Sequence, residues 1–379
     1  MSKVRIAFFL EVMQEDFDGV AITMHQIIRH IPKDKIDAIF ITPQPPQKDI
    51  GFPVHVCKYF VLPEKGKEYR VGLPGRTKGL DELLDSFQPQ LVHFSSPTFM
   101  GWYAYRYAKK HEIPVTSIYH THYDGFMDYY FKKFPFLIKP SKWIISKFYE
   151  LYKGCDRVFA PTASMKEFLM AYGVDESRIA IWGRGVNADR FNPNSRDEGF
   201  WNELPTENKK ILFVSRLVKE KEPETLIRLH GLLGKRRDLS LIIVGDGPTR
   251  EELESKMPDA YFAGSLFGDD LAKAYSSSDL FVFPSTTETF GNVVLEALAS
   301  GLPVIAADAG GPGDIVKHQQ TGELVEPQNE QAFYDAIVRF ADDKTYYQQC
   351  REHAVAYAKS QSWEMLCENL FENYFTLTR

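Results

Sequence analysis

Apolar runs alternate with helical patterns along most of the chain. Val4 to Leu10 is apolar apart from Arg5, as is typical of a strand buried on both faces of a parallel sheet. A turn with Gly19 follows, and apolar residues then recur at helical spacing from Ala21 to His30. The same alternation predicts strands at residues 37–42, 91–94, 114–119, 156–160 and 179–182. Repeated βα units predict an α/β fold with a doubly wound parallel sheet.

The alternation stops between residues 193 and 209, which are polar and include two prolines, and it then restarts. We interpret this stretch as a linker. Strands are predicted beyond it at residues 210–214, 241–244, 279–283 and 304–307, and a helix from near Gly291 to Gly301. A chain of 379 residues exceeds one typical domain. We therefore predict two Rossmann-like domains, residues 1–195 and 196–360, and a final helix in 361–379.

Composition narrows the class of protein. An apolar share of 44% and a charged share of 25% are typical of a globular chain with a large core. The net charge of −6 argues against nucleic acid as a partner. Four scattered cysteines indicate reduced thiols and a cytoplasmic protein. No apolar run is long enough for a membrane span, and the N-terminus enters a strand without a signal-peptide pattern.

Residues 284–303, between two predicted strands, form the most informative run. Glu288 lies in a loop, and Glu296 falls in the first two turns of the helix that begins near Gly291 and Asn292. Unpaired backbone N–H groups at a helix start suit a phosphate or sugar hydroxyls, and carboxylates accept hydrogen bonds from hydroxyls. An ordinary surface loop with exposed acids is the alternative.

A second polar cluster, Tyr119-His120-Thr-His122-Tyr-Asp124, directly follows a predicted strand. Ligands of doubly wound sheets bind at this end of the strands. Two histidines and an aspartate suggest a metal site. However, a further ligand is not evident, so we predict no metal here.

Residues 131–153 carry six lysines and one glutamate within an acidic chain. Apolar residues at helical spacing from Ser141 onward predict an amphipathic helix. Such a segment lies on an anionic membrane, through Lys132, Lys133, Lys139 and Trp143, or packs on the sheet with its lysines in water. Both alternatives stay open, as does a division into a lipid-contacting 131–140 and a packing 141–153.

The spacing Glu-x7-Glu at Glu288 and Glu296, with Thr-Phe-Gly between, resembles retaining GT-B glycosyltransferases of glycosyltransferase family 4. The His-Thr pair at 120–121, Asp-Arg-Phe-Asn-Pro at 189–193 and Gly-x-Gly-Pro at 245–248 resemble the same family. The resemblance spans nearly the whole chain. It implies two Rossmann-like domains facing across a cleft, with the final helix crossing back to the N-terminal domain.

The resemblance also implies roles for individual residues. Glu296 would hold the ribose, Glu288 the sugar hydroxyls, and Arg216 and Lys221 the diphosphate of a UDP- or GDP-hexose. His120 would contact the donor sugar beside its reacting carbon. Other implied donor-binding positions are Gly19, Gly264, Leu266, Thr289, Phe290, Gly291, Asn292 and Val293, and implied acceptor positions are His122 and Asp124.

Two fixed cations stabilise the charge that builds on a leaving diphosphate, so the resemblance implies that neither a metal nor a cofactor is required. The chain departs from the family at Lys221-Glu222-Pro223, where Lys-Gly or Lys-Asn is usual. No enzyme nucleophile is evident. The resemblance implies attack on the front face, with the departing phosphate taking the acceptor proton.

Within the family, the runs around residues 119–124, 131–153 and 182–187 resemble transferases of mannose, glucose or sulfoquinovose to lipids. They imply a lipid or lipid-linked glycan acceptor at the cytoplasmic membrane face. Alternatives are a soluble small-molecule or polysaccharide acceptor, a GT-B nucleotide-sugar 2-epimerase, and a non-catalytic protein that binds nucleotide sugars.

Overall fold

The computed structural model describes residues 3–378 apart from residues 16, 18, 65–66 and 121–137. For residues 62–64, 67–68 and 138–145 it describes the backbone alone. The chain divides into two compact units. The first comprises Met1–Gly183 with Trp363–Arg379, and the second comprises Arg184–Ser362.

The first unit contains a seven-stranded sheet in the order β3-β2-β1-β6-β7-β8-β9, with every neighbouring pair parallel. A separate antiparallel ribbon, β4–β5, follows β3. The strands are β1 Val4–Phe9, β2 Ile36–Thr42, β3 Val54–Val56, β4 Tyr59–Glu64, β5 Lys67–Gly72, β6 Leu91–Phe94, β7 Val115–Ile118, β8 Arg157–Ala160 and β9 Ile179–Ile181.

Six described helices belong to this unit: α1 Gly19–Arg29, α2 Leu80–Phe87, α3 Phe99–Lys110, α4 Ile138–Lys153, α5 Ala163–Ala171 and the last helix, α13 Trp363–Leu377. Two buried polar contacts tie α13 to the sheet region. Trp182 Nε1 donates to the carbonyl of Leu366 at 2.7 Å, and the Tyr374 hydroxyl lies 3.1 Å from His93 Nδ1.

The second unit contains a six-stranded parallel sheet in the order β12-β11-β10-β13-β14-β15. Its strands are β10 Lys209–Val214, β11 Leu239–Val244, β12 Tyr261–Gly264, β13 Leu280–Phe283, β14 Val304–Ala307 and β15 Gly322–Val325. Its helices are α6 Pro223–Leu233, α7 Arg250–Lys256, α8 Gly268–Ser276, α9 Asn292–Ala299, α10 Gly310–Ile315, α11 Glu330–Asp342 and α12 Lys344–Lys359.

Both sheets have the Rossmann strand order, which confirms the predicted fold class. In this order the chain leaves the central strand in opposite directions, so ligands bind beside the carboxyl ends of the strands. The carboxyl ends of β10 and β13 in the second unit, and of β1, β6 and β7 in the first, are therefore the places to look for a site.

Residues 184–195, which the sequence analysis places with the first domain, belong to the second unit. The Phe191 ring packs on Tyr275 at 5.8 Å between centroids, and Arg190 pairs with Asp269 at 3.5 Å. The proposed linker is also anchored, because Trp201 is buried and its Nε1 donates to Ser278 Oγ at 3.2 Å. A polar composition thus conceals a few apolar anchors that fix the segment to this core.

Within the described residues, no helix combines the length and the apolar character that crossing a membrane requires. All four cysteines are buried and free.

Candidate active site

Two glycines shape the turn that carries Arg216. Gly245 and Gly247 follow β11 with φ of 137° and 158°. A Cβ on Gly245 would lie 1.8 Å from the carbonyl oxygen of Ser215, and one on Gly247 would lie 2.3 Å from that of Leu217. The backbones after β10 and β11 therefore touch directly, which only glycine permits. This contact sets the course of the chain on both sides of Arg216.

Arg216 and Lys221 both follow β10, but their surroundings differ. The Arg216 side chain is 71% exposed and lies 3.6 Å from Glu220. Lys221 ends a short 3-10 turn, and its side chain is only 12% exposed. Glu222 adopts the left-handed conformation, and Pro223 is the first residue of α6. Pro223 is thus accommodated at a first helical turn, a position that suits proline.

The structure brings Lys221 and Glu288 together. Lys221 Nζ forms an ion pair with Glu288 Oε1, although the two residues are 67 positions apart in the chain. A second bond joins the same segments, because Thr287 Oγ1 donates to the carbonyl of Glu220 at 3.1 Å. The turn after β10 and the loop after β13 are therefore held as one structure.

A third segment supports the loop that contains Glu288. The N–H of Gly311 donates to the carbonyl of Glu288 at 2.8 Å. A Cβ on Gly311 would lie 2.1 Å from the carbonyl oxygen of Phe290, so the two backbones touch. Phe290 itself is buried in the core of this unit. The glycine pair after β14 thus fixes the loop from behind, a role that the sequence analysis did not assign.

Helix α9 begins directly after this loop. Gly291 is its N-cap with φ of 99°, a conformation that disfavours other residues, and Asn292 is exposed at the first position. Thr289 and Val293 are half-buried on either side. The N–H groups of this first turn lie next to the loop of Glu288, and N–H groups at a helix start are suited to anions or hydroxyls.

Glu296 lies on the second turn of α9 and is partly shielded from water. The Tyr275 hydroxyl donates to Glu296 Oε2 at 3.1 Å. Burial raises the pKa of Glu296 to about 7, while Tyr275 and the positive charge of Arg190 act in the opposite direction. Arg190 is held in turn by Asp269 at 3.5 Å.

Tyr275 and Arg190 were missed from the sequence. Tyr275 lies on α8, 21 residues before Glu296, and has no motif around it. Arg190 belongs to the Asp-Arg-Phe-Asn-Pro run that carried the family resemblance. The side chain of Asn187 shapes its turn, because Asn187 Oδ1 accepts from the N–H groups of Asp189 and Arg190. The Asp-Arg-Phe-Asn-Pro run was therefore the one sequence signal that could have identified Arg190.

Gly264 and Leu266, two of the implied donor-binding positions, lie next to the glycine turn after β11. The carbonyl of Gly264 accepts from the N–H of Gly245 at 2.8 Å, and Gly264 has φ of 72°. Leu266 is half-buried two residues later. Arg184, whose role was unassigned, is buried, and burial lowers the pKa of its guanidinium to about 9.

In the first unit, Gly19 and His120 are the predicted site residues that the structure describes. Gly19 begins α1 and is exposed, and a Cβ there would meet no atom of the described residues within 4 Å. His120 follows β7 and is half-buried. His122, Asp124, Lys132 and Lys133 lie outside the described residues, as do the side chains of Lys139 and Trp143.

The described end of the basic segment packs on its own unit. Tyr149, Leu151 and Tyr152 on α4 are buried in the core, whereas Lys147 is exposed. Residues 146–153 therefore have the arrangement expected of a helix that packs on the sheet and keeps its lysines in water. Among the residues with described side chains, no group of three potential ligands could hold a metal ion.

Glu11 is a buried carboxyl that the sequence did not reveal. It follows β1 and accepts a hydrogen bond from Thr98 Oγ1, the N-cap of α3. Burial raises the pKa of Glu11 to about 7. A single glutamate after a strand carries no sequence signal.

Comparisons with known proteins show which family the chain is similar to. Residues 195–357 match the family described as glycosyl transferases group 1, and residues 17–190 match glycosyltransferase family 4. A GDP-mannose-dependent alpha-mannosyltransferase of Mycobacterium tuberculosis is 34% identical over 383 residues, covering 99% of this chain and 97% of that protein. The sulfoquinovosyl transferase SQD2 of Arabidopsis thaliana is 38% identical over 244 residues, and this match covers 62% of this chain and 46% of SQD2.

Among solved structures, Anabaena HepE in complex with UDP and glucose superposes with a TM-score of 0.74 at 18% identity. The match covers 98% of this chain and 99% of that one, and it shows a shared fold.

Proposed function

Since the chain belongs to the family 4, group 1 glycosyltransferases, which are retaining enzymes of the GT-B fold, we propose that it transfers mannose from GDP-mannose to a lipid or lipid-linked glycan. The match to a GDP-mannose-dependent alpha-mannosyltransferase over nearly the whole of both chains supports the choice of donor. Mannose is α-linked in GDP-mannose, so an α-mannoside product also agrees with retention.

The observation that carries the proposal is the ion pair between Lys221 and Glu288 beside the first turn of α9. A nucleotide sugar has phosphates next to sugar hydroxyls, and this pair offers a cation next to a carboxylate. We assign the sugar hydroxyls to Glu288 and the diphosphate to Lys221. An ammonium group has three donors, so Lys221 can bind a phosphate oxygen without leaving Glu288.

Arg216 and the N–H groups at Gly291 and Asn292 complete the proposed diphosphate site. Charge grows on the diphosphate as the glycosidic bond breaks, so groups fixed around it stabilise the transition state more than the ground state. Arg216 is largely exposed, and within the described part of the chain its side chain forms one loose ion pair, with Glu220 at 3.6 Å. A ligand phosphate can therefore recruit it at little cost.

Glu296 is the proposed ribose residue. As a carboxylate it can accept hydrogen bonds from both ribose hydroxyls. Its bond from Tyr275 occupies one lone pair of Oε2 and leaves other acceptor positions open. Tyr275 then fixes the direction of the carboxylate.

Retention is proposed to follow from attack on the front face, where the departing phosphate takes the proton of the acceptor hydroxyl. No metal or cofactor takes part in this proposal. His120 is proposed to contact the donor sugar, and the acceptor is proposed to bind through the first unit, at the cytoplasmic face of the membrane. The basic segment at 131–153 supports a lipid-linked acceptor.

Calorimetric titration with GDP and UDP tests the donor. We expect GDP to bind at least about tenfold more tightly, a difference of about 1.4 kcal/mol. Tighter binding of UDP would contradict the GDP-mannose assignment. Incubation of GDP-mannose with extracted lipids then tests the reaction, with formation of an α-mannosyl lipid as the expected result. Release of an epimerised sugar without a glycoside would instead indicate a 2-epimerase.

A further inference from the structure

Five bulky apolar side chains are exposed at one edge of the first unit. Val56 ends β3 and is 45% exposed, and Phe99 begins α3 and is 58% exposed. Tyr59, Phe60 and Val61, which are consecutive in β4, are 40%, 41% and 46% exposed. β4 follows β3, and α3 follows β6, so all five lie beyond the carboxyl ends of parallel strands. They therefore share one edge of the sheet, which we call the apolar edge.

The side chains of β4 that the structure describes, those of residues 59–61, are exposed on both faces of the strand. Successive side chains of a strand point to opposite faces, so Tyr59 and Val61 share one face and Phe60 lies on the other. A ribbon that packs on a core buries one face and leaves the other in water. A partner that covers these three side chains must therefore surround the ribbon. The interfacial layer of a lipid bilayer can do this, whereas a rigid protein surface covers one face.

The base of the ribbon is fixed to the sheet. The N–H of Cys57 donates to the carbonyl of Thr42 at 3.0 Å, and the N–H of Leu73 donates to that of Lys58 at 2.6 Å. Cys57 Sγ lies 3.6 Å from Met100 Sδ, next to Phe99 at the start of α3. The ribbon thus projects from a defined position, with the start of α3 beside its base.

Positive charge accompanies these apolar side chains. Residues 54–79 contain six lysines and arginines and two glutamates, a net charge of +4 in a chain of net charge −6. Lys58, Arg76 and Lys78 are exposed, and the Arg70 guanidinium lies 4.6 Å from the centre of the Tyr59 ring. Aromatic side chains accompanied by cations are typical of segments that bind the headgroup region of anionic membranes.

We propose that the apolar edge inserts into the interfacial layer of an anionic lipid bilayer and holds the first unit on the membrane. This inference rests on the proposed lipid-directed function and extends it. His120 follows β7 at the same edge of the sheet, so a lipid headgroup in the bilayer would lie near the residues proposed to act on it. The apolar edge is separate from the basic segment at 131–153.

Flotation of the full-length protein with phosphatidylglycerol or phosphatidylcholine vesicles tests the inference. We expect binding to phosphatidylglycerol vesicles that weakens with added salt, and weaker binding to phosphatidylcholine. The double substitution Phe60→Ser, Val61→Ser should lower the partition coefficient about tenfold or more, because two apolar side chains no longer leave water. GDP binding by calorimetry should stay unchanged, and a cooperative thermal melt at the wild-type temperature shows that the first unit, which contains both substitutions, is folded.

Phe267→Ser is the matched control. Phe267 is 78% exposed in the second unit and is the N-cap of α8, where serine is favoured. Its loss removes a larger exposed apolar side chain without touching the apolar edge, so vesicle binding should stay at the wild-type level. An equal loss of vesicle binding in both variants would mean that the assay reports nonspecific binding through any exposed apolar side chain, and would overturn the inference.

Two further results would overturn it. One is wild-type protein that does not float, or floats equally well after the double substitution. The other is a dimer by light scattering that the double substitution converts to a monomer, which would make this edge an interface between copies. If instead no lipid is mannosylated but flotation still depends on Phe60 and Val61, the proposed function fails and membrane binding stands.

Discussion

The proposed ribose contact predicts a pH dependence that Tyr275 controls. Burial raises the pKa of Glu296 to about 7, so half of the molecules carry a neutral Glu296 at that pH. A neutral carboxyl accepts the ribose hydroxyls less well. If GDP binds only to the ionised form, its apparent affinity is roughly tenfold weaker at pH 6 than at pH 8.

Tyr275→Phe removes a hydrogen bond that lowers the pKa of Glu296. A bond to a charged group contributes about 1.5 to 3 kcal/mol, and Glu296 is partly open to water, so we take the lower end. This corresponds to a rise in the pKa of Glu296 by about one pH unit. GDP binding should then be about fivefold weaker at pH 7 and nearly normal at pH 9. Tyr275 itself stays a donor throughout, because burial raises its pKa well above the ordinary value.

Calorimetric titration of GDP between pH 6 and 9 measures both profiles. The charged groups that face Glu296 are Arg190, whose positive charge lowers the pKa of Glu296, and Asp269, which pairs with Arg190 at 3.5 Å. Titration with 2′,3′-dideoxy-GDP corrects for protonation of the diphosphate and should lack the difference between wild type and variant. A wild-type affinity that is flat from pH 6 to 8 would refute the reasoning. A variant that is weaker by the same factor at every pH would show that Tyr275 has only a structural role.

Three other predictions follow from the described contacts. Glu288→Ala or Lys221→Ala should lower turnover at least about tenfold while melting curves stay cooperative, and near-normal rates in both variants would refute the site assignment. Gly311→Ala should also reduce turnover, and it should lower the free energy of unfolding by about 1 to 3 kcal/mol because its Cβ would collide with the carbonyl of Phe290. Gly231→Ala is the control: its Cβ, within α6, would meet no atom of the described residues within 4 Å, so stability should be unchanged or higher. For Glu11, the folded-state pKa of about 7 exceeds the usual 4.5, so its stabilising contribution is complete below about pH 4.5 and is lost as pH rises through 7. Thermal melts should therefore show that Glu11→Gln is more stable than wild type by about 3 kcal/mol at pH 8 and by much less at pH 5, and equal melting points at pH 8 would contradict this.

The order of strands and helices could be predicted closely from the sequence, because buried parallel strands are continuous apolar runs. The predicted strand at 91–94 agrees with the structure to the residue, and the last helix, Trp363–Leu377, lies within the predicted range 361–379. The place at which the chain passes from one unit to the other was harder to predict. It depends on a few anchors such as Phe191 and Trp201, and sequence patterns report average polarity over a stretch.

The candidate site likewise contains residues that could be identified from the sequence and residues that could not. Lys221 and Glu288 carry motifs and could be identified separately, but their direct contact depends on folding across 67 residues. Tyr275 and Glu11 could not be found, because a tyrosine in a helix or a glutamate after a strand is common. Their importance comes from burial beside another polar group, which exists only in three dimensions.

The ion pair of Lys221 with Glu288 also bears on how product leaves. Under the proposed roles, the bound donor engages both side chains, because it supplies phosphate oxygens and sugar hydroxyls together. After transfer, GDP retains the phosphates but has no sugar for Glu288. Lys221 keeps its bond to Glu288 while it holds the phosphates, so the negative charge of Glu288 weakens the attraction of Lys221 for the departing GDP. The ion pair thus favours release of the spent nucleotide, and turnover gains from the carboxylate after its contact with the sugar has gone.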